Sequence, residues 1–382
     1  MPELRQNFVT KEWVIIATER AKRPEEMVVH RPIKATPAYM ANCPFCPGNE
    51  AQTPPEVLRL TGTNGDSWQA RVVPNKFAAL SRDEEPERTI YRTQRTINGF
   101  GVHEIIIETP DHSKLMALMS DAQVSDVLRI YKARYADLSL DPRIAQITIF
   151  KNHGMDAGTS LEHPHSQLIA TPVISLQVRH RFQEALRHYD DFGTCIFCQV
   201  LEEELGEQKR IVLATEHFVA FELFASPAPF STHIYPRRHM ASFGDISELE
   251  IADLGRALRT VLAKLYQGLK NPDFNFTIRT APRGMCRGEI FSLVSQRDSP
   301  SDSGGWVRTR FGNVHQHCLA RGSGRVSAER ESSRSSSTAC LINSLRLSCR
   351  EVASPGSHQS LGGNSPLPNA YSFNGPKRFF SE

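Results

Sequence analysis

A chain of 382 residues, 40% hydrophobic and 23% charged, has the balance of a folded globular protein and length enough for two ordinary cores. Its formal net charge of +3 is too small to recruit nucleic acid or a membrane surface by bulk electrostatics, so anion binding must rest on locally placed arginines and lysines. The N-terminal run MPELRQNFVTKEW lacks the apolar core of a signal peptide, and no stretch approaches the roughly 18 apolar residues of a membrane span, which predicts a cytoplasmic protein without a membrane partner.

In chain order, the first strand-like run is WVIIATE at 13–19, followed by a C-x-x-C pair at Cys43 and Cys46. Further β-branched runs bounded by Gly, Pro or Asn lie at 102–109 (VHEIIIET), 145–152 (AQITIFKN) and 166–171 (SQLIAT). Ser120 and Gln123 form a capping box, after which Val124, Val127, Leu128, Tyr131 and Tyr135 recur at helical spacing. A second helix is predicted over 176–189. The theme then repeats: Cys195 and Cys198, strands at 218–225 and 230–239, a helix over 247–270 capped by Ser247 and Glu250, and a strand at 274–280. A cysteine pair, strands, helix and strand occurring twice predict two related α+β units with antiparallel sheets and packed helices, rather than alternating βαβ. The stretch 322–365 is rich in Ser, Gly and Arg without either period, which predicts disorder.

In a reducing compartment a C-x-x-C pair is a metal half-site or a redox pair more often than a structural disulfide. Neither pair is embedded in a basic helix, so no nucleic-acid partner is expected. The segment from Asn152 to Leu168, NHGMDAGTSLEHPHSQL, runs a Gly- and Ser-rich loop into His163-Pro164-His165-Ser166-Gln167. Backbone N–H groups and hydroxyls thus lie beside two imidazoles, a setting suited to a phosphate, and Pro164 fixes the relation of the two rings.

This His-Pro-His-x-Gln motif after such a loop resembles the active-site signature of the galactose-1-phosphate uridylyltransferase family, in the histidine-triad superfamily. The resemblance runs from about residue 5 to 282, nearly three quarters of the chain. It implies a nucleotidyltransferase acting on UDP-glucose and hexose 1-phosphate, with His165 as the nucleophile, Gln167 as donor to a phosphoryl oxygen and Ser160 holding the sugar phosphate. It implies a zinc ion on Cys43, Cys46, His112 and His163, His112 belonging to the segment Pro110–Lys114. Arg20 and Arg23 resemble the nucleotide-binding arginines, Asn75 belongs to a segment that reaches the uridine, and Asn152 opens the phosphate loop as a further substrate contact. Cys195, Cys198 and His239 resemble three ligands of a second zinc site in the branch that includes plant ADP-glucose phosphorylase. A homodimer is implied as well. An adenylyl transferase or ADP-glucose phosphorylase, and a zinc-stabilised nucleotide-binding protein with impaired turnover, are the alternatives.

These likenesses predict an N-terminal catalytic domain at 1–173, a truncated second domain at 174–283 and a non-family, disordered tail at 284–382. The resemblance calls for a His-Trp-Tyr strand and a Gly-Phe-Glu-x-Gly-Ser-Gly segment after FNFTIRTAP, and this chain has MCRGEIFSLVSQRDSPSDSGGWVRTRFG there. Permitted codons for residues 285–330, read one base later, can give FHWYLSV and GGFELGSG in the expected order. A one-base shift of frame near Pro282 is therefore expected, with the second zinc set left one histidine short.

Overall fold

Among the residues described by the computed structural model, 2–16, 36–62, 67–283 and the backbone of 294–298, the chain forms fourteen strands and four α-helices. They lie in a unit spanning Met1–Val326, while a second unit, Ser327–Glu382, is outside the described residues. Strands β1 (Glu3–Gln6) and β2 (Trp13–Ile16) form an antiparallel hairpin. Then come β3 (Leu58–Thr61), β4 (Trp68–Pro74), the hairpin β5 (Arg88–Tyr91) and β6 (Gln94–Ile97), β7 (Val102–Ile107), helix α1 (Asp121–Leu138), β8 (Gln146–His153) and β9 (His165–Thr171). The second half holds α2 (Leu176–Phe192), α3 (Ile196–Glu207), β10 (Ile211–Ala214), β11 (Phe218–Glu222), β12 (Thr232–Pro236), α4 (Glu248–Leu269), β13 (Phe274–Arg279) and β14 (Val294–Asp298).

Ten of the strands build one antiparallel sheet in the order β10-β11-β12-β14-β13-β8-β9-β7-β4-β3. The order is palindromic about the β8–β13 pair: each half contributes five strands, and each places its capped helix between its third and fourth strands. The expected repeat of two α+β units is therefore a single continuous sheet with an internal twofold relation. Both capping boxes form, at Ser120 with Gln123 and at Ser247 with Glu250. Helices α1 and α4 cover one face and bury Val124, Leu128, Leu254 and Leu258 with Ile106, Ile149 and Leu168 of the strands. They cross closely because Gly255 carries no side chain: a Cβ there would lie 2.4 Å from Ser125 Oγ.

The other face carries two smaller apolar clusters. One gathers Cys43, Phe45, Cys46, Trp68, Val73, Ile105 and Ile107 over the first half, and the other packs Cys195, Phe197, Val219 and Tyr235 over the second. Between them the β8–β13 pair floors a cleft bordered by α2 and lined by Thr148, Asn152, Arg181, Thr277 and Arg279.

Strands β1, β3 to β6 and β10 are additions to the sequence expectations, and two further elements depart from them. Ile196–Glu207 begins a helix inside the second C-x-x-C pair, with Cys195 as its N-cap, where only a metal half-site was expected. The backbone of Val294–Asp298, within the stretch expected to be a disordered tail, pairs with both β12 and β13. Two inner strands with unpaired N–H and C=O groups accept an extended partner through backbone bonds that do not depend on its side chains. The rest of the expected tail lies outside the described residues, as does the C-terminal part of the WVIIATE run.

Candidate active site and metal centre

Cys43 and Cys46 occupy successive turns before β3, with the Cys46 N–H donating to the Cys43 carbonyl at 3.2 Å and Asn49 Nδ2 to the same carbonyl at 2.8 Å. His112 follows β7 on a turn held by its own N–H, which donates to Ala38 O at 2.9 Å. His163 ends the Gly-rich loop; its Nε2–H donates to Thr109 O at 2.8 Å, which leaves Nδ1 turned toward the thiols. One ligand atom from each of these four buried residues lies within 4.8 Å of every other.

Four of the six edges of this cluster have the dimensions of a tetrahedron around an ion. Metal–nitrogen bonds of about 2.0–2.1 Å and metal–sulfur bonds of about 2.3 Å imply N–N edges near about 3.3 Å and S–N edges near about 3.6 Å. The His112 and His163 Nδ1 atoms are 3.2 Å apart, and the S–N separations are 3.4, 3.6 and 3.7 Å. Burial pushes the His163 imidazole down to about 4 and lowers His112, so both rings are neutral and able to ligate. Burial also raises the Cys43 thiol. His112 Nε2 is buried without a hydrogen-bond partner among the described residues. A cation among these four groups would take the two thiols and the two Nδ1 atoms as its ligands.

Two residues on, His165 opens β9. Along that strand Ser166, Leu168 and Ala170 point into the helical face, while His165, Gln167 and Ile169 point to the other. The His165 Nδ1–H donates to the His163 carbonyl at 2.9 Å, which assigns the lone pair to Nε2. Burial lowers the pKa of this ring, so the neutral form is favoured. Phe45 meets the His163 and His165 rings edge-on, with centroids 6.0 and 5.5 Å away. A neutral imidazole with one nitrogen fixed and the other bare is the state of a nucleophile.

The remaining expected residues divide. Gln167 is held by His103, whose Nε2–H donates to Gln167 Oε1 at 2.9 Å. Asn75 Nδ2 lies 3.1 and 3.3 Å from the two nitrogens of the same ring, which sets the amide across the imidazole rather than at one nitrogen. Asn152 Oδ1 accepts from Asn275 Nδ2 at 2.8 Å, and its carbonyl accepts from Thr159 Oγ1 at 2.7 Å. Ser160 lies exposed on the loop. Gly154 turns that loop at φ +88, with Asp273 so close that a Cβ would meet its carboxylate at 2.1 Å. Arg20 and Arg23 lie outside the described residues.

Cys195, Cys198 and His239 also converge, with Cys198 Sγ 3.2 Å from His239 Nδ1. The Cys198 bond holds the Cys195 thiol down at about 5, while the same contact raises Cys198. His239 Nε2 is buried and unpartnered, and no fourth ligand joins the three among the described residues.

Sequence reasoning missed His103 and a buried polar group beneath β9 consisting of Glu108, Tyr131, Lys151 and Ser166. Their one visible signal is a glutamate closing the VHEIIIET run and a single lysine inside the next strand, since buried charges of that kind need partners.

No helix among the described residues is long and apolar enough to cross a membrane. A family model described as galactose-1-phosphate uridyl transferase, N-terminal domain, matches residues 1–175. The ADP-glucose phosphorylase of Arabidopsis thaliana is 34% identical over 76% of this chain and 81% of its own length. The galactose-1-phosphate uridylyltransferase of Thermotoga maritima is 31% identical over 72% of this chain and 79% of its own. A crystal structure of an ADP-glucose phosphorylase from Arabidopsis thaliana with bound ADP-glucose superimposes with a TM-score of 0.67 at 31% identity, covering 81% of this chain and 92% of that one. With relatives this similar over most of their lengths and with the family's motif assembled on one sheet face, the chain belongs to the galactose-1-phosphate uridylyltransferase family of nucleotidyltransferases.

Proposed function

We propose that the protein transfers a nucleotidyl group from a nucleoside diphosphate sugar to a phosphate acceptor through a covalent nucleotidyl-His165 intermediate. The observation that carries this reading is the committed Nδ1 of His165, which leaves a neutral ring with its lone pair on Nε2 on the strand face that also carries Gln167. Nε2 attacks the α-phosphorus, the bond from that phosphorus to the bridging oxygen breaks, and sugar 1-phosphate departs with the electron pair. In the second half-reaction an acceptor phosphate oxygen attacks the same phosphorus and the pair returns to Nε2. Gln167 donates to an α-phosphoryl oxygen, Ser160 and Asn152 hold the sugar phosphate, and Asn75 with Arg20 and Arg23 binds the nucleotide.

Zinc is the ion the first cluster fits: two thiols and two neutral imidazoles at tetrahedral edge lengths form a closed structural set on Cys43, Cys46, His112 and His163. When bound it fixes His163, whose carbonyl in turn orients His165. Cys195, Cys198 and His239 would hold a second ion more weakly, lacking a fourth protein ligand among the described residues.

The donor base has two readings. Uridylyl transfer between UDP-glucose and hexose 1-phosphate is the reaction implied by the motif. Similarity to a plant ADP-glucose phosphorylase, together with the second C-x-x-C set, supports adenylyl transfer from ADP-glucose to inorganic phosphate at least as well. Intact-mass measurement after incubation with each donor distinguishes them. Addition of a uridylyl group supports the first, addition of an adenylyl group the second, and no addition from either donor contradicts the proposal.

A further inference from the structure

Directly beneath the His165 peptide, on the helical side of the sheet, lies a closed set of polar side chains from four elements. Lys151 of β8 donates from Nζ to Glu108 Oε2 at 2.7 Å and to the carbonyl oxygen of His165 itself at 3.0 Å. Glu108, just past β7, accepts on its other oxygen from Tyr131 of α1 at 3.3 Å and from Ser166 of β9, and Tyr131 and Ser166 are bonded to each other. All four residues are at most 3% exposed, and none of their side-chain polar atoms is left without a partner.

Burying an ammonium and a carboxylate in this place is expensive, and a pair of apolar or neutral side chains of the same volume commonly serves stability equally well or better. What an apolar pair could not do is donate to one particular carbonyl. The carbonyl gripped here belongs to the residue whose ring must be aimed. From one side His165 is tied through Nδ1 to the carbonyl of His163 and from below through its own carbonyl to Lys151, while the next residue, Ser166, is tied to Glu108. Together these bonds fix the backbone at the junction where the Gly-rich loop becomes β9.

We infer that Lys151, held by Glu108, is a positioning residue that sets the direction of the His165 imidazole for nucleotidyl transfer. This rests on the proposed reaction. It assigns Lys151 no contact with substrate, since its side chain points away from the face that carries His165 and Gln167. The step it serves is the attack of Nε2, so its loss should slow chemistry and leave donor binding alone.

The test is the full chain carrying Lys151→Met with Glu108→Gln, which removes both charges while keeping the volumes. A purely structural pair would leave kcat unchanged, within twofold. The positioning role predicts an unchanged or higher Tm, unchanged metal content, KM within twofold and kcat reduced at least tenfold. Retention of kcat, or a joint loss of kcat, metal and Tm, overturns it. Tyr131→Phe is the milder companion, removing one donor to Glu108 without touching either charge; a two- to fivefold fall in kcat at constant KM is expected, and an unchanged kcat counts against the anchor even if the double variant fails to fold. Nitrogen-15 shifts of His165 in unreacted protein test the anchor separately from the reaction. One Nδ1–H tautomer in the wild type and a tautomer mixture in the double variant is the expected result, and identical spectra would overturn it. A wild-type chain that releases no glucose 1-phosphate from UDP-glucose or ADP-glucose would count against the proposed reaction alone.

Discussion

His103 shows how much of a site can depend on a residue outside the sequence motif. Its bond to Gln167 Oε1 leaves the amide NH2 of Gln167 as the end able to donate to a phosphoryl oxygen. His103→Ala should therefore lower kcat about tenfold, or about 1.4 kcal/mol of transition-state stabilisation, with little change in donor affinity. Steady-state kinetics would check this, and an unchanged kcat would contradict it. Glu250 gives a prediction in pH. Its bonds from Arg238 and from the Ser247 backbone hold the carboxyl down at about 2, below its ordinary 4.5. The ionised form is the one the fold stabilises, so the contribution is complete above about pH 4.5 and is lost as pH falls toward 2. Thermal melts of the wild type and Glu250→Gln should differ at pH 6 and converge as the pH falls from 4.5; a constant gap would contradict the assignment. At this scale the cysteine and histidine motifs were legible because their spacing is itself the signal. Lys151 and Glu108 were not, because each is a single charge whose partner lies far away in sequence and is joined to it only by strand order.

Helices and strands repeat the same division. Both capped helices, and the strands carrying VHEIII, QITIFKN and THIYP, were readable from caps, period and β-branching. The helix at Ile196–Glu207 was not, because its first turn is shared with the C-x-x-C pair and the chemistry of the cysteines masks the periodicity. Strand β14 could not be read either, since its place is set by the open edges of β12 and β13 rather than by its own pattern. The α1–α4 crossing depends on Gly255, where a Cβ would also approach the Ser125 backbone nitrogen to 3.1 Å. Gly255→Val should destabilise the protein by about 1–3 kcal/mol through overpacking, measured by denaturant melts; an unchanged midpoint would show that the helices can separate freely. Ser247→Ala, which removes the side-chain half of a capping box, should cost about 1 kcal/mol by the same assay.

For the molecule as a whole, the palindromic sheet puts a cysteine-based cluster over each half of one face and His165 beside the first. Stripping metal with a strong chelator should lower Tm and abolish nucleotidylation together, and restored zinc should recover both; activity that survives complete removal would separate the ion from His165. The departure from family pattern after residue 282 is a matter for the gene: a nucleotide sequence whose next frame encodes FHWY would establish the frameshift, and one that does not would exclude it. The most direct measurement is a rapid-quench single turnover with UDP-glucose and with ADP-glucose labelled at the α-phosphate, followed by peptide mapping of the wild type and His165→Ala. One acid-labile, base-stable label per chain at His165, formed as fast as glucose 1-phosphate is released and absent from the variant, is the expected result. Label on another residue, label that persists in His165→Ala, or sugar phosphate released without any labelled chain would contradict it.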